Sequence, residues 1–191
     1  MSTKAGEVSW PDDYLDRLAR TLAALDRKAL ARAIGLVRSA WLDNRQIFVF
    51  GNGGSALTAE HYVTDWNKGI YLSTGKPFRG ICLSENMGLI TAYSNDLSYS
   101  DVFVAQLRPL MTKGDLVIGI SGSGSSENVL RAINYARENF AVTLGICGYD
   151  GGKLRGAAEH CICAEVQDMQ LSEDVHLTFG HMTLQALMRQ D

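Results

Sequence analysis

The sequence predicts an α/β domain: a three-layer, doubly wound, five-stranded parallel sheet preceded by N-terminal helices. Three observations carry this expectation. First, five short apolar runs recur along the chain: Gln46–Phe50, Phe78–Leu83, Asp115–Ile120, Val142–Cys147 and His160–Glu165. Second, segments of helical periodicity separate them. Third, the runs do not alternate between apolar and polar as a half-exposed strand would. They read as strands buried on both faces, the pattern of a parallel sheet between two helical layers. Right-handed crossovers then make the sheet doubly wound, and ligands in such sheets bind beyond the carboxyl ends of the strands.

Local signals place each element. Leu15, Leu18, Leu22 and Leu25, then Leu30, Ile34, Val37 and Trp41, recur at helical spacing, so residues 12–44 form two helices closed by Asn44. Residues 45–188 form the α/β core, with no linker dividing the single domain. The first strand ends at Gly51, and a helix is expected from Ser55 to about Lys68, stopped by Gly69. Helices over Met87–Tyr93 and Ser100–Met111 precede the third strand. A helix over Ser126–Phe140 follows it. Gly151–Arg155 reads as a turn, and the last helix is expected from Ser172 or Glu173 to Met188.

Composition narrows the function classes. The 191 residues are 46% hydrophobic and 20% charged, which excludes a disordered chain. A net charge of −3 weighs against a nucleic-acid partner. No apolar run approaches the roughly 20 residues that span a bilayer, and the N-terminus does not resemble a signal peptide. A cytoplasmic protein is expected. Cys82, Cys147, Cys161 and Cys163 lie in apolar segments and read as buried thiols in a reducing compartment.

Two small-residue loops follow strands directly. Gly51-Asn52-Gly53-Gly54-Ser55 lets a backbone approach a ligand closely at a helix N-terminus, where free N–H groups and the helix dipole favour an anion. The same loop is also readable as a tight turn with Ser55 as N-cap. Ser121-Gly122-Ser123-Gly124-Ser125-Ser126 crowds hydroxyls at the second junction, and hydroxyls plus free amides suit one phosphate monoester. Neither loop is a P-loop, and no dinucleotide fingerprint follows the first strand. His61 and Asp65 share a helical face, as do Glu173 and His181 eight residues apart. These four form a candidate zinc site of two imidazoles and two carboxylates. The alternative is two polar, salt-bridged surface stripes. His176 is a third helical histidine, and His160 reads as structural.

These residues carry a family resemblance. Gly51–Ser55, Ala59-Glu60-His61, Ser94-Asn95-Asp96, Asp101-Val102-Phe103, Ile118–Val129, Val175-His176 and Gly180-His181 resemble the SIS (sugar isomerase) phosphosugar-binding family, nearest its phosphoheptose isomerase branch, over residues 12–188. The resemblance implies a flavodoxin-like fold and a homotetramer with active sites between subunits. It implies a substrate site of Asn52, Gly53, Gly54, Ser55, Asp96, Ser121, Gly122, Ser123 and Ser126. It places His61, Asp65, Glu173 and His181 on the zinc and acid/base positions. Asp65, Glu173 and His181 are the catalytic candidates. Two departures stand out: Asp65 replaces a Glu, and Glu173 replaces a Gln. An expected Arg is missing at Leu171, and Lys68 lies one position before another.

The expected reaction is aldose–ketose isomerisation of a phosphosugar through an enediol, with sedoheptulose 7-phosphate as the implied substrate. A carboxylate, Asp65 or Glu173, is the base and His181 the acid. Zinc would polarise the substrate oxygens. The competing readings are a non-catalytic phosphosugar sensor or partner-binding scaffold, and an isomerase of another phosphosugar.

Overall fold

The computed structural model describes residues 9–189. Two helices, α1 (Trp10–Ala24) and α2 (Arg27–Leu42), lead into strand β1 (Ile47–Gly51). Then follow α3 (Gly54–Asp65), a π-helical turn (Trp66–Ile70), α4 (Tyr71–Thr74), β2 (Gly80–Cys82), α5 (Met87–Asp96) and α6 (Val102–Leu110). The second half contains β3 (Leu116–Ser121), α7 (Glu127–Glu138), β4 (Val142–Gly148), α8 (Leu154–Ala157), β5 (His160–Ala164) and α9 (Met169–Met188).

All strands pair in parallel, in the order β2-β1-β3-β4-β5. The expected sheet is present, and its alternating faces explain why the strands lack polar positions. Val49, Ile118, Ile146 and Ile162 face Trp41, Tyr62, Trp66 and Phe179 in one apolar layer. Phe48, Phe50, Val117 and Cys147 face Phe103, Ile133 and Leu154 in the other. Burying both faces removes the period-two signal that a half-exposed strand would carry.

The chain moves outward from β1 to β2, then crosses back to β3. That reversal lies between β1 and β3, where Gly51 pairs with Ile120. It brings the two loops of small residues side by side at a topological switch point.

Four expected boundaries are corrected. Gly69 does not end the helix after β1. The helix runs on through the π-helical turn and α4, with Trp66 and Ile70 fully buried, and stops at Gly75 in the left-handed region (φ 72°). Gly69 serves packing instead, since a Cβ there would lie 2.8 Å from Leu184 Cδ1 of α9. The last helix begins at Met169, a turn earlier than expected. The Asp168 carboxylate caps it, accepting from the amides of Gln170 (3.0 Å) and Leu171 (3.2 Å). Strand β2 keeps only three residues, Gly80–Cys82, paired with β1 alone at the sheet edge. Asp96 also ends α5, three residues past the expected Tyr93.

Candidate active site

The switch point opens into a cavity of about 210 Å³ lined by Asn52, Ser55, Ile120, Ser121, Gly122, Ser123, Ser126, Met169 and Glu173. Six of these are substrate-site candidates from the sequence: Asn52, Ser55, Ser121, Gly122, Ser123 and Ser126. Ser121 and Ser126 are linked through their hydroxyls (3.1 Å), and Ser121 is buried. Ser126 stands before α7 without capping it through its side chain, so its hydroxyl remains directed to the cavity side of the loop. Gly124 shapes the loop: it has φ 63°, and a Cβ there would meet Gly151 O. Only glycine fits such a backbone approach in that region of φ.

The first loop behaves similarly. Gly53 holds the N-cap position of α3 at φ 54°, so Ser55 lies inside the helix rather than capping it. A Cβ on Gly54 would come within 3.2 Å of both carboxylate oxygens of Glu173. Gly54 therefore lets α3 and α9 approach at the cavity. Asn52 forms a reciprocal amide pair with Asn128 (two bonds of 2.9 Å) and accepts from Tyr99 Oη (2.7 Å). Asn128 and Tyr99 had no assigned role from sequence. Asn128 lies 76 residues from its partner, and no local signal joins them.

Helices α3 and α9 run side by side in the same direction. Gly54 faces Glu173 at one end, Tyr62 meets Gly180 further along, and Gly69 abuts Leu184. Trp66 Nε1 donates to Gly180 O (3.1 Å), and Tyr62 Oη donates to His176 O. On the outer edge of this seam, His61 Nε2 lies 3.0 Å from His181 Nε2 and 3.2 Å from Asp65 Oδ2. His181 Nε2 is 4.0 Å from the same carboxylate oxygen. The three residues offer ligand atoms within 4.8 Å of one another, and their side chains are partly exposed.

This donor set fits a divalent metal such as zinc. Ligand atoms about 2.0–2.1 Å from a tetrahedral ion are themselves roughly 3.3 Å apart. The two imidazole nitrogens and the nearer carboxylate contact match that spacing. The fourth expected ligand does not join them: Glu173 lies at the cavity end of α9, against Gly54. Its eight-residue separation from His181 is about 12 Å along the helix axis. Asp96 is also apart. It is exposed at the end of α5, accepts from Asn95 Nδ2 (2.9 Å), and does not line the cavity. His176 points to the sheet side of α9, where burial lowers its pKa and favours the neutral ring.

Residues 12–148 match the SIS domain family. The chain belongs to that family. Among curated relatives of this SIS domain, a probable phosphoheptose isomerase of Thermoplasma acidophilum is 35% identical over 88% of the chain and 92% of the relative. A phosphoheptose isomerase of Helicobacter pylori is 31% identical over 92% and 91%. A solved structure of a phosphoheptose isomerase from Francisella tularensis superposes with a TM-score of 0.86 at 23% identity, covering 95% of this chain and 97% of the other. That structural likeness bears on the fold. No helix among the described residues is long and apolar enough to cross a membrane.

Proposed function

We propose that this SIS domain is an aldose–ketose isomerase acting on sedoheptulose 7-phosphate. The observation that carries the reading is that the switch-point cavity and the His61–Asp65–His181 cluster both lie along the α3–α9 seam. A hydroxyl-rich cradle stands at one end, and the His61–Asp65–His181 cluster lies near the Tyr62–Gly180 contact further along. From Ser55 to His61 the rise is about 9 Å. A sugar phosphate held by its phosphate in the cradle extends its carbon chain over the α3–α9 surface toward the cluster.

Ser55, Ser121, Ser123 and Ser126 bind the phosphate with the free amides of the two loops. Asn52, Gly53, Gly54 and Gly122 shape the adjoining sugar site. Asp65 takes a proton from C1 of the ketose, exchanges it with solvent and delivers one to C2, giving the aldose. His181 donates a proton to the C2 oxygen and recovers one from the C1 hydroxyl. The serine cradle contributes by holding the reacting carbons in place. Zinc held through His61 Nε2, His181 Nε2 and Asp65 Oδ2 would polarise the substrate oxygens, with the other Asp65 oxygen and His181 Nδ1 left for the proton transfers. Glu173 stays at the cavity, where its carboxylate accepts from sugar hydroxyls.

The SIS domain works as a homotetramer with active sites between subunits, in the cytoplasm. Supporting this, α1 buries no residue in the single chain, while Trp10 is 85% and Leu15 60% exposed. Asp96 is then available to a neighbouring subunit's site.

The test is turnover of sedoheptulose 7-phosphate in deuterated water, with deuterium appearing at C2 of the aldose. Asp65→Asn and His181→Gln should each abolish turnover while leaving phosphosugar binding intact. Binding without turnover in the unaltered protein would make the chain a sensor and overturn the reading.

A further inference from the structure

A cluster of three thiols lies on strands β4 and β5, where Cys147 is in register with Ser121 of the serine loop. Cys147 of β4 is fully buried, and its Sγ is 3.3 Å from Cys161 Sγ of the edge strand β5. Cys163 is the direct register partner of Cys147 across the same ladder. Cys161 and Cys163 are half-buried and line a cavity of about 320 Å³ between the edge strand and the α1–α2 junction. Arg155 and Glu165 line the same cavity and pair at 2.7 Å. The isomerase chemistry uses none of these groups.

The three thiols are not equivalent. Hydrogen bonding with Cys161 and Cys163, followed by burial, pushes Cys147 far above the ordinary thiol range. Hydrogen bonding from Cys147, together with the Arg155 charge, pulls both Cys161 and Cys163 below it, and of the two it is Cys161 whose sulfur lies 3.3 Å from Cys147 Sγ. A thiol reachable from a cavity, beside a cation and in contact with a second thiol, is the arrangement of an oxidisable cysteine with a resolving partner. Three sulfurs gathered around one point would instead suit a soft metal, but the trio does not converge: among the described residues only His61, Asp65 and His181 do.

We propose that Cys161 and Cys147 form a hydroperoxide-responsive dithiol. The Cys161 thiolate attacks one oxygen of the hydroperoxide, breaking the O–O bond and releasing hydroxide or alkoxide, which takes up a proton. Cys161 is thereby oxidised to sulfenic acid. Cys147 Sγ then displaces the hydroxyl from Cys161 Sγ; an S–S bond forms, and water leaves with the Cys147 proton. Two thiols are oxidised and one hydroperoxide is reduced. The sulfurs must close from 3.3 Å to about 2.05 Å. Cys161 is in register with Gly145 rather than with Cys147, so the two α-carbons face each other diagonally, about 7–8 Å apart, and forming the bond requires edge strand β5 to shift along β4. The bond would fasten edge strand β5 to β4 beside Gly148, whose N–H donates to Gly122 O of the serine loop (2.8 Å).

The test treats the full-length protein with hydrogen peroxide, blocks the remaining thiols and maps peptides with and without reductant. The free thiol count should fall from four to two, with one intramolecular Cys147–Cys161 peptide that reductant releases. Cys163→Ser should keep that peptide, and Cys161→Ser should abolish it while leaving the unoxidised melting temperature within a few degrees. A cross-link through Cys163 or Cys82, a bond between chains, or four thiols surviving excess peroxide would overturn the proposal. These readouts need no turnover, so their outcome is separate from that of the isomerase assay.

Discussion

Gly180→Ala is the sharpest test of how the SIS domain builds its His–Asp–His cluster. A Cβ at position 180 would lie 2.3 Å from Tyr62 Cε1 and 2.5 Å from Tyr62 Cδ1. Comfortable carbon contacts lie at about 3.5–4.0 Å, so the ring or a helix must move by about 1 Å or more. The ring has little freedom. It is fully buried, stacks on Trp66 (4.7 Å between centroids), meets Phe179 edge-on (6.1 Å) and donates its hydroxyl to His176 O. Overpacking of this kind costs about 1–3 kcal/mol. Alanine recovers about 1 kcal/mol over glycine inside a helix. The balance is a net loss of about 0–2 kcal/mol, a melting temperature lower by up to roughly 8 °C for a chain of this size, and the crowded, immobile ring points to the upper part of that range. The functional loss should be larger than the stability loss. Gly180 and Tyr62 directly adjoin His181 and His61, whose nitrogens stand 3.0 Å apart. A misplacement of about 1 Å can cost 10²-fold in rate. Thermal melts, metal titration and turnover of sedoheptulose 7-phosphate check this together. A variant as stable as the parent, with unchanged metal affinity and turnover, would show that the Tyr62–Gly180 contact does not set the separation of the two helices.

Other expectations follow from the same geometry. Ser123→Ala and Ser126→Ala should each weaken phosphosugar binding by about 1–3 kcal/mol in calorimetry, the scale of a lost hydrogen bond to a charged group. Elemental analysis of protein purified without chelator should find one divalent metal per chain, lost in His61→Ala and in His181→Ala; full retention in both would place the ion elsewhere. Light scattering should show an oligomer, and replacing Trp10 and Leu15 with Ser should shift it toward monomer. Stability should fall in acid partly through Asp168, whose bond from the Leu171 amide and pairing with Arg17 hold its pKa below the ordinary carboxylate value. Its folded pKa is depressed, so its contribution is complete above the unfolded value and disappears as pH falls through the folded one. Denaturant melts at neutral and acidic pH should therefore show a gap between the parent and Asp168→Asn that closes in acid.

The sequence by itself determined the sheet, the two loops and the residue types of the site. Apolar runs without alternation identify parallel strands because both faces are covered, and the serines between Ser121 and Ser126 are legible because a run of hydroxyls at a strand end has few structural uses. Chain periodicity also placed His61 with Asp65, four residues apart on one helix. What crosses between elements was decided by tertiary structure. The pairing of His61 with His181 depends on Gly180 and Gly69 letting two helices pack closely, and each glycine by itself reads as a helix breaker. The same ambiguity misplaced the end of the helix after β1, since burial of Trp66 and Ile70 outweighs the propensity cost of Gly69. Glu173 and His181 share a helix face, yet that face is long enough for one residue to serve the cavity while the other serves the cluster. The Asn52–Asn128 pair had no local signature at all. Periodicity records which face of an element is buried; the partner that buries it is selected only when the whole chain packs.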